Sequence, residues 1–206
     1  MYRIKNDSAR KKMTTSNNPS GRPRSSLTTD LLHAAFWRLL ETTAYDSITM
    51  ERIAAEAAVS RATLYRRYKS VGELTLAALL VAGQEQLSMR HSPKLANDLQ
   101  NYFTSLVGSL GRSRLVGRAL RILLAKAQTD EALAASFSNF LTRRREPVRL
   151  RLASAYAHMP PGQMELTLDQ LFGPILYRLL IRNLNVDAAA IRSCIASALS
   201  NLPVPD

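Results

Sequence analysis

The chain of 206 residues carries 28 Lys and Arg against 16 Asp and Glu, a net charge of +12, with three His and one Cys. Its length and 46% hydrophobic content suffice for a globular core, whereas one Cys allows no internal disulfide and, with scattered His33, His91 and His158, no zinc cluster; neither metal nor cofactor is expected. No apolar run approaches the roughly 18 residues of a membrane span, and no apolar stretch follows the basic N-terminus, which implies a soluble, cytoplasmic protein; the surplus of positive charge favours a polyanionic partner, nucleic acid first and an anionic membrane surface second.

Residues 1–26 form a basic arm. Arg3, Lys5, Arg10, Lys11, Lys12, Arg22 and Arg24 face a single acid, Asp7, among Ser, Asn, Thr, Gly and Pro. With almost nothing apolar to bury, this segment is expected to be disordered in isolation. It is either a solvated tail or an arm along DNA, with Gly21-Arg22-Pro23-Arg24 in a minor groove or on phosphate.

From residue 27 the apolar residues recur at helical spacing: Leu31, Leu32, Ala35, Phe36, Leu39 and Leu40 define a helix to residue 44, with Thr28 or Thr29 able to cap it. Thr49 can cap a second helix, Met50 to Ala57, whose inner face is Ile53, Ala54 and Ala57. Ala58-Val59 makes a tight turn, Ser60 caps a third short helix over 61–68, and Ser70-Val71-Gly72-Glu73 is a capping box that starts a fourth. Two short helices across a three-residue turn describe a helix-turn-helix.

The third helix packs inward through Leu64 and Tyr68, leaving Arg61, Ala62, Thr63, Tyr65, Arg66, Arg67 and Lys69 outside, and no acid occurs between Glu56 and Glu73. Either this is a solvated basic helix or it reads DNA. The mix of cations, hydroxyls and one small residue favours the second, because Arg binds guanine bidentately and hydroxyls reach phosphates.

The run Ile48-Thr49-Met50-Glu51-Arg52-Ile53-Ala54-Ala55-Glu56-Ala57-Ala58-Val59-Ser60-Arg61-Ala62-Thr63-Leu64-Tyr65-Arg66-Arg67-Tyr68-Lys69-Ser70 resembles the DNA-binding domain of the TetR family of bacterial repressors. The Val-Ser-x-x-Thr-Leu-Tyr core followed by Ser-x-x-Glu-Leu carries the resemblance, which covers residues 27–80. It implies an all-α homodimer with a helix-turn-helix domain, here 27–75, and a larger helical dimerisation and effector-binding domain, here 76–206. It also implies that Arg61, Ala62 and Tyr65 face bases and that Thr63, Arg66 and Arg67 lie nearer the DNA backbone. Thr49 and Ser60 at the helix starts, Lys69, and Arg22 and Arg24 of the arm complete the expected DNA-contacting set. Two residues depart from the family pattern: Ala58 stands where Gly is usual, and Val71 where Lys often starts the fourth helix.

Beyond residue 71 the pattern is of successive amphipathic helices, at 71–89, 94–110, 112–128, 130–146, 147–158, 164–183 and 187–202, interrupted at His91-Ser92-Pro93 and Met159-Pro160-Pro161-Gly162. Arg114, Arg118 and Arg121 form a stripe expected to be hydrated. Arg143, Arg144, Arg145, Arg149 and Arg151 cluster around one acid, Glu146. If Leu133, Phe137 and Phe140 are buried, Arg144 shares their stripe and reaches an effector pocket, where it would pair with an anionic ligand. Tyr102, Phe103, Leu106, Tyr156 and Phe172 are the other expected walls, with Phe137 and Phe140. Leu168, Leu171, Ile175 and Leu179 on one helix and Ile191, Ile195, Ala198 and Leu199 on the next are expected to meet a second subunit in a four-helix bundle, with a kink at Gly173-Pro174. The stretch from Phe172 to Leu180 resembles one TetR C-terminal subgroup. Cys194 reads as a buried small residue rather than a redox sensor.

No Gly-x-Gly-x-x-Gly, phosphate-binding loop or Gly-x-Ser-x-Gly elbow is present, so no catalytic residue is assigned. A membrane role is disfavoured because the one Trp, Trp37, lies within the first helix of the DNA module. The reading is therefore a sequence-specific regulator, a repressor released from a palindromic operator by a small-molecule effector. The alternative is a non-specific architectural DNA-binding protein, which leaves the long apolar C-terminal helices without a purpose.

Overall fold

A computed structural model describes residues 24–86, 89–111, 114–200 and 202. Among them every regular element is helical and no strand occurs. The first helix, α1 (Arg24–Thr42), begins earlier than its apolar periodicity suggests, so Thr28 and Thr29 lie inside it instead of capping it. A 3₁₀ turn, Tyr45–Ser47, leads to α2 (Met50–Glu56), where the Thr49 side chain accepts from the Arg52 amide at 3.2 Å. The third helix, α3 (Arg61–Tyr65), is capped by Ser60, which accepts from the Thr63 amide at 3.2 Å.

Helix α3 ends three residues sooner than expected. The following residues turn back onto α1: Arg67 Nη1 donates to Thr29 Oγ1 at 3.0 Å, and the Tyr68 hydroxyl lies 2.9 Å from His33 Nε2. The next helix, α4 (Val71–Gln86), opens on the expected capping box. Ser70 Oγ accepts from the Glu73 amide at 3.2 Å, and Glu73 Oε2 accepts from the Lys69 amide at 2.7 Å.

The C-terminal domain comprises α5 (Leu95–Leu110), α6 (Leu115–Lys126), α7 (Glu131–Ala155), α8 (Pro161–Leu176), a π-helical turn (Tyr177–Ile181) and α9 (Ala188–Leu199). Where the sequence suggests two helices meeting at Pro147, α7 runs unbroken for 25 residues. Proline in a helix interior costs about 3 kcal/mol through its missing N–H and ring clash. Burial of Val148, Arg151, Leu152 and Ala155 beyond it holds the helix together. Pro174 is likewise accommodated within α8, and the π-helical turn begins three residues later.

Helix α6 joins the two domains. α1 has no basic residue in its last turn, and Arg118 supplies one from α6: Nη1 donates to the Leu40 carbonyl at 2.9 Å and Nη2 to the Thr43 carbonyl at 3.2 Å. Two turns on, Lys126 Nζ lies 2.7 Å from Asp46 Oδ1 and over the Tyr45 ring. The stripe of Arg114, Arg118 and Arg121 is thus not uniformly hydrated: Arg114 is exposed, while Arg118 and Arg121 are half-buried.

Candidate nucleic-acid interface and effector cavity

Helix α3 turns Leu64 completely into the core and leaves Arg61, Ala62, Tyr65 and Arg66 exposed, with exposed Lys69 just beyond. Among the described residues, neither Arg61 nor Arg66 takes part in an ion pair. Thr63 is half-buried, its hydroxyl 2.9 Å from that of Ser60. The Tyr65 hydroxyl donates to Glu51 Oε1 on α2 at 3.0 Å. That bond raises the Tyr65 pKa. The Glu51 carboxyl is held below its usual range, first by its own backbone N–H and then by Tyr65 and Thr49. The turn that aims α3 places Ala58 in the left-handed region, at φ 52°, the position where Gly is usual.

The expected contact set divides here. Arg67, half-buried and bonded to Thr29, braces α3 against α1 instead of extending toward a phosphate. Arg22 and the rest of the arm before Arg24 lie outside the described residues, as does the side chain of Arg24. Sequence reasoning missed three braces behind the surface. Arg38 Nε meets Glu56 Oε1 at 2.7 Å, tying α1 to the end of α2. Arg52 Nη1 donates to the Ser47 carbonyl at 2.6 Å. His33 bonds Tyr68; burial lowers its pKa, only partly offset by Asp30. His33 shares the apolar stripe of Phe36 and Leu40, which was the available signal for it; the partners of Arg38 and Arg52 left none.

In the C-terminal domain a cavity of about 350 Å³ opens between α5, α6, α7 and α8. Four of the expected walls line it: Leu106, Phe140, Arg144 and Phe172. Of the other four, Phe103, Phe137 and Tyr156 belong to the solid core, while Tyr102 borders a second cavity, of about 600 Å³, with Gly83, Met89, His91 and Arg144. Phe103 stacks edge-on against Phe172, ring centroids 4.9 Å apart; Phe137 packs on Phe140; Tyr156 is buried where α7 ends. Tyr102 is fully buried, its hydroxyl donating to the Arg144 carbonyl at 2.9 Å, and burial pushes its pKa up to about 12. Aromatic residues at helical spacing fill cores more readily than they line pockets, and Phe103, Phe137 and Tyr156 do so.

The arginine cluster of α7 separates by partner. Arg145 meets Asp169 at 2.8 Å, and Arg149 pairs with Glu165 and with Glu146. Arg151, buried, donates to Asp98 Oδ2 at 2.8 Å and to the Ser92 carbonyl at 2.8 Å. Burial drives the Asp98 pKa upward, but the bonds from Arg151 and Ser92 outweigh it and hold the carboxyl below its usual range. Arg144 has no ion-pair partner among the described residues, and its pKa is lowered by burial, partly offset by Tyr102.

The model of the tetracycline repressor-like C-terminal domain matches residues 91–198, and that of the bacterial regulatory proteins of the tetR family matches residues 31–78. The chain belongs to the TetR family. As a TetR regulator it is a helix-turn-helix, DNA-binding transcription factor and not an enzyme. It is 26% identical over 189 residues to the HTH-type transcriptional regulator YdeS of Bacillus subtilis (strain 168), covering 88% of this chain and 93% of that one. The TetR family transcription regulator SCO0332 superposes with a TM-score of 0.72 at 26% identity, over 86% of this chain and 99% of that one. The multidrug binding protein EbrR, in complex with ethidium, shares the fold at TM-score 0.57 and 21% identity, over 83% of this chain and 98% of that one.

In this TetR regulator the residues expected at a subunit interface face the chain's own core. Leu168, Leu171 and Ile175 have no exposed surface, Leu179, Ile191, Ile195 and Ala198 are buried, and Leu199 is half-buried. They pack α8 and α9 against each other and α9 against α5. The opposite stripe of α8 and its π-helical turn exposes Leu166, Tyr177 and Ile181, each more than half accessible. Beside it a shallow cavity is lined by Gln170, Pro174, Ser193, Cys194 and Ser197; Cys194 is half-buried, not fully buried as expected. Among the described residues, no helix is long and apolar enough to cross a membrane.

Proposed function

We propose that the protein is a homodimeric repressor that reads a palindromic operator and is released by a small-molecule effector entering the cavity between α5, α6, α7 and α8. The reading of DNA rests on exposed Arg61 and Arg66, in no ion pair among the described residues, beside Ala62 and Tyr65, on a helix capped and aimed by Ser60 and the Ala58 turn. Arg61, Ala62 and Tyr65 read bases, Tyr65 after exchanging its bond to Glu51. Thr49, Ser60, Thr63, Arg66 and Lys69, with Arg22 and Arg24 of the arm, contact the backbone. In a dimer the two copies of α3 enter successive major grooves about 34–36 Å apart.

The second subunit is assigned to the stripe of Leu166, Gln170, Pro174, Tyr177 and Ile181 with Ser193 and Ser197 of α9. Small side chains there let helices approach closely, and exposed Tyr177 and Ile181 supply apolar anchors. Effector control is supported by α6, which contributes Val116 and Leu120 to the cavity while Arg118 and Lys126 grip the DNA-binding module. EbrR with its ethidium is a fold relative that admits a small molecule.

Selection of bound sites from random DNA tests this function. A two-fold symmetric consensus is the expected result. Uniform recovery of unrelated sequences would replace it with the architectural reading.

A further inference from the structure

Of the clustered arginines of α7, Arg143 and Arg144 form no ion pair among the described residues; Arg143 is exposed, whereas Arg144 is half-buried. Arg145, Arg149 and Arg151 each meet a carboxylate, while Arg144 lines the cavity half-buried without one among the described residues. A desolvated cation without a counter-charge is unfavourable in the free protein and becomes favourable once an anion reaches it.

Arg144 stands between this cavity and a second, of about 600 Å³, that Gly83 of α4 lines with it. A Cβ placed on Gly83 of α4 would stand 1.7–2.0 Å from the Arg144 guanidinium, so the guanidinium occupies the space a side chain would take. Gly83 is buried inside α4 and does not adopt a positive φ, so its conformation does not call for glycine. Glycine in a helix interior costs about 1 kcal/mol relative to alanine. Its presence here is explained by the seat it gives Arg144.

We infer that the cavity takes an amphipathic monoanion, with its apolar body against Leu106, Leu120, Phe140 and Phe172 and its single acid group on Arg144. This rests on the reading of the cavity as the effector site. Arg144 offers a planar fork suited to a carboxylate or sulfonate. A second acid group is disfavoured because the neighbouring cation, Arg145, is already held by Asp169 and Glu165, whose charges repel it.

Two fluorescent probes with the same aromatic body test the assignment on the full chain: 8-anilinonaphthalene-1-sulfonate, a monoanion, and N-phenyl-1-naphthylamine, which is neutral. Arg144→Gln is expected to weaken the sulfonate by about tenfold or more while leaving the neutral amine within about twofold. Gly83→Ala, which favours the helix yet displaces the guanidinium, is expected to give the same selective loss with an undiminished melting temperature. Leu106→Trp, which fills the cavity, should exclude both probes. Equal losses of both probes in Arg144→Gln, or an unchanged sulfonate affinity, would overturn the acid-group assignment alone. If wild type binds neither probe, or Leu106→Trp leaves both bound, the effector reading of the cavity falls with it.

Discussion

Helices α3 and α7 are both rich in arginine and use it in opposite ways. Between Ala57 and Gly72 the chain contains no acid, and Arg61 and Arg66 project from α3 without an ion pair among the described residues. On α7 only Glu146 is near in sequence, yet Arg145, Arg149 and Arg151 all find carboxylates, most of them delivered by α8 and α5. A basic run therefore serves a partner where the fold withholds acids from it. It serves the fold where distant helices bring acids to it. On the second helix Arg143 and Arg144 form no ion pair among the described residues.

Substitutions that break this contrast should have very unequal effects. The largest is expected at Arg151. Arg151→Ala leaves the buried Asp98 charge without its cation and should destabilise the protein by about 3–5 kcal/mol, measured by denaturant unfolding. Arg118→Ala removes two charge-assisted bonds to the end of α1 and should cost about 2 kcal/mol. If its melting temperature matches wild type, α6 does not hold the DNA-binding module through that side chain. Ala58→Gly relieves the left-handed alanine and should stabilise the module by up to about 1 kcal/mol without altering the operator sequence selected. A smaller effect follows from His33. Its folded pKa is depressed, so below about pH 6.5 the unfolded chain takes up the proton more readily and stability falls with pH toward the folded value. Melting temperatures between pH 7.5 and 5.5 should show this decline, and His33→Gln should reduce it.

The DNA-binding half was legible because its signals are local. Thr49, Ser60 and the Ser70/Glu73 box act within three or four residues of where they stand, and the acid-free stretch is contiguous. What escaped was the inward turn of Arg67, which depends on Thr29, 38 positions away. The C-terminal half gave its helices but not their neighbours. Periodicity marks an apolar face without naming what covers it, so the stripe from Leu168 to Leu179 suits a partner subunit as well as α5 and α9. For the same reason Phe103 and Phe137 suit a pocket as well as a core. Pro147 misled because the packing that carries α7 through it is tertiary. Arg144 was legible: it shares the stripe of buried Leu133, Phe137 and Phe140, and it reaches the cavity.

The most direct test of the contrast between the two helices is to compare Arg61→Ala and Arg66→Ala on the selected operator and on random DNA across a salt series. Arg61→Ala should lose about 1–3 kcal/mol of discrimination at one base position, while Arg66→Ala should weaken both DNAs alike and lower the salt slope by about one. Equal losses on both DNAs for both variants would contradict the assignment of Arg61 to base reading.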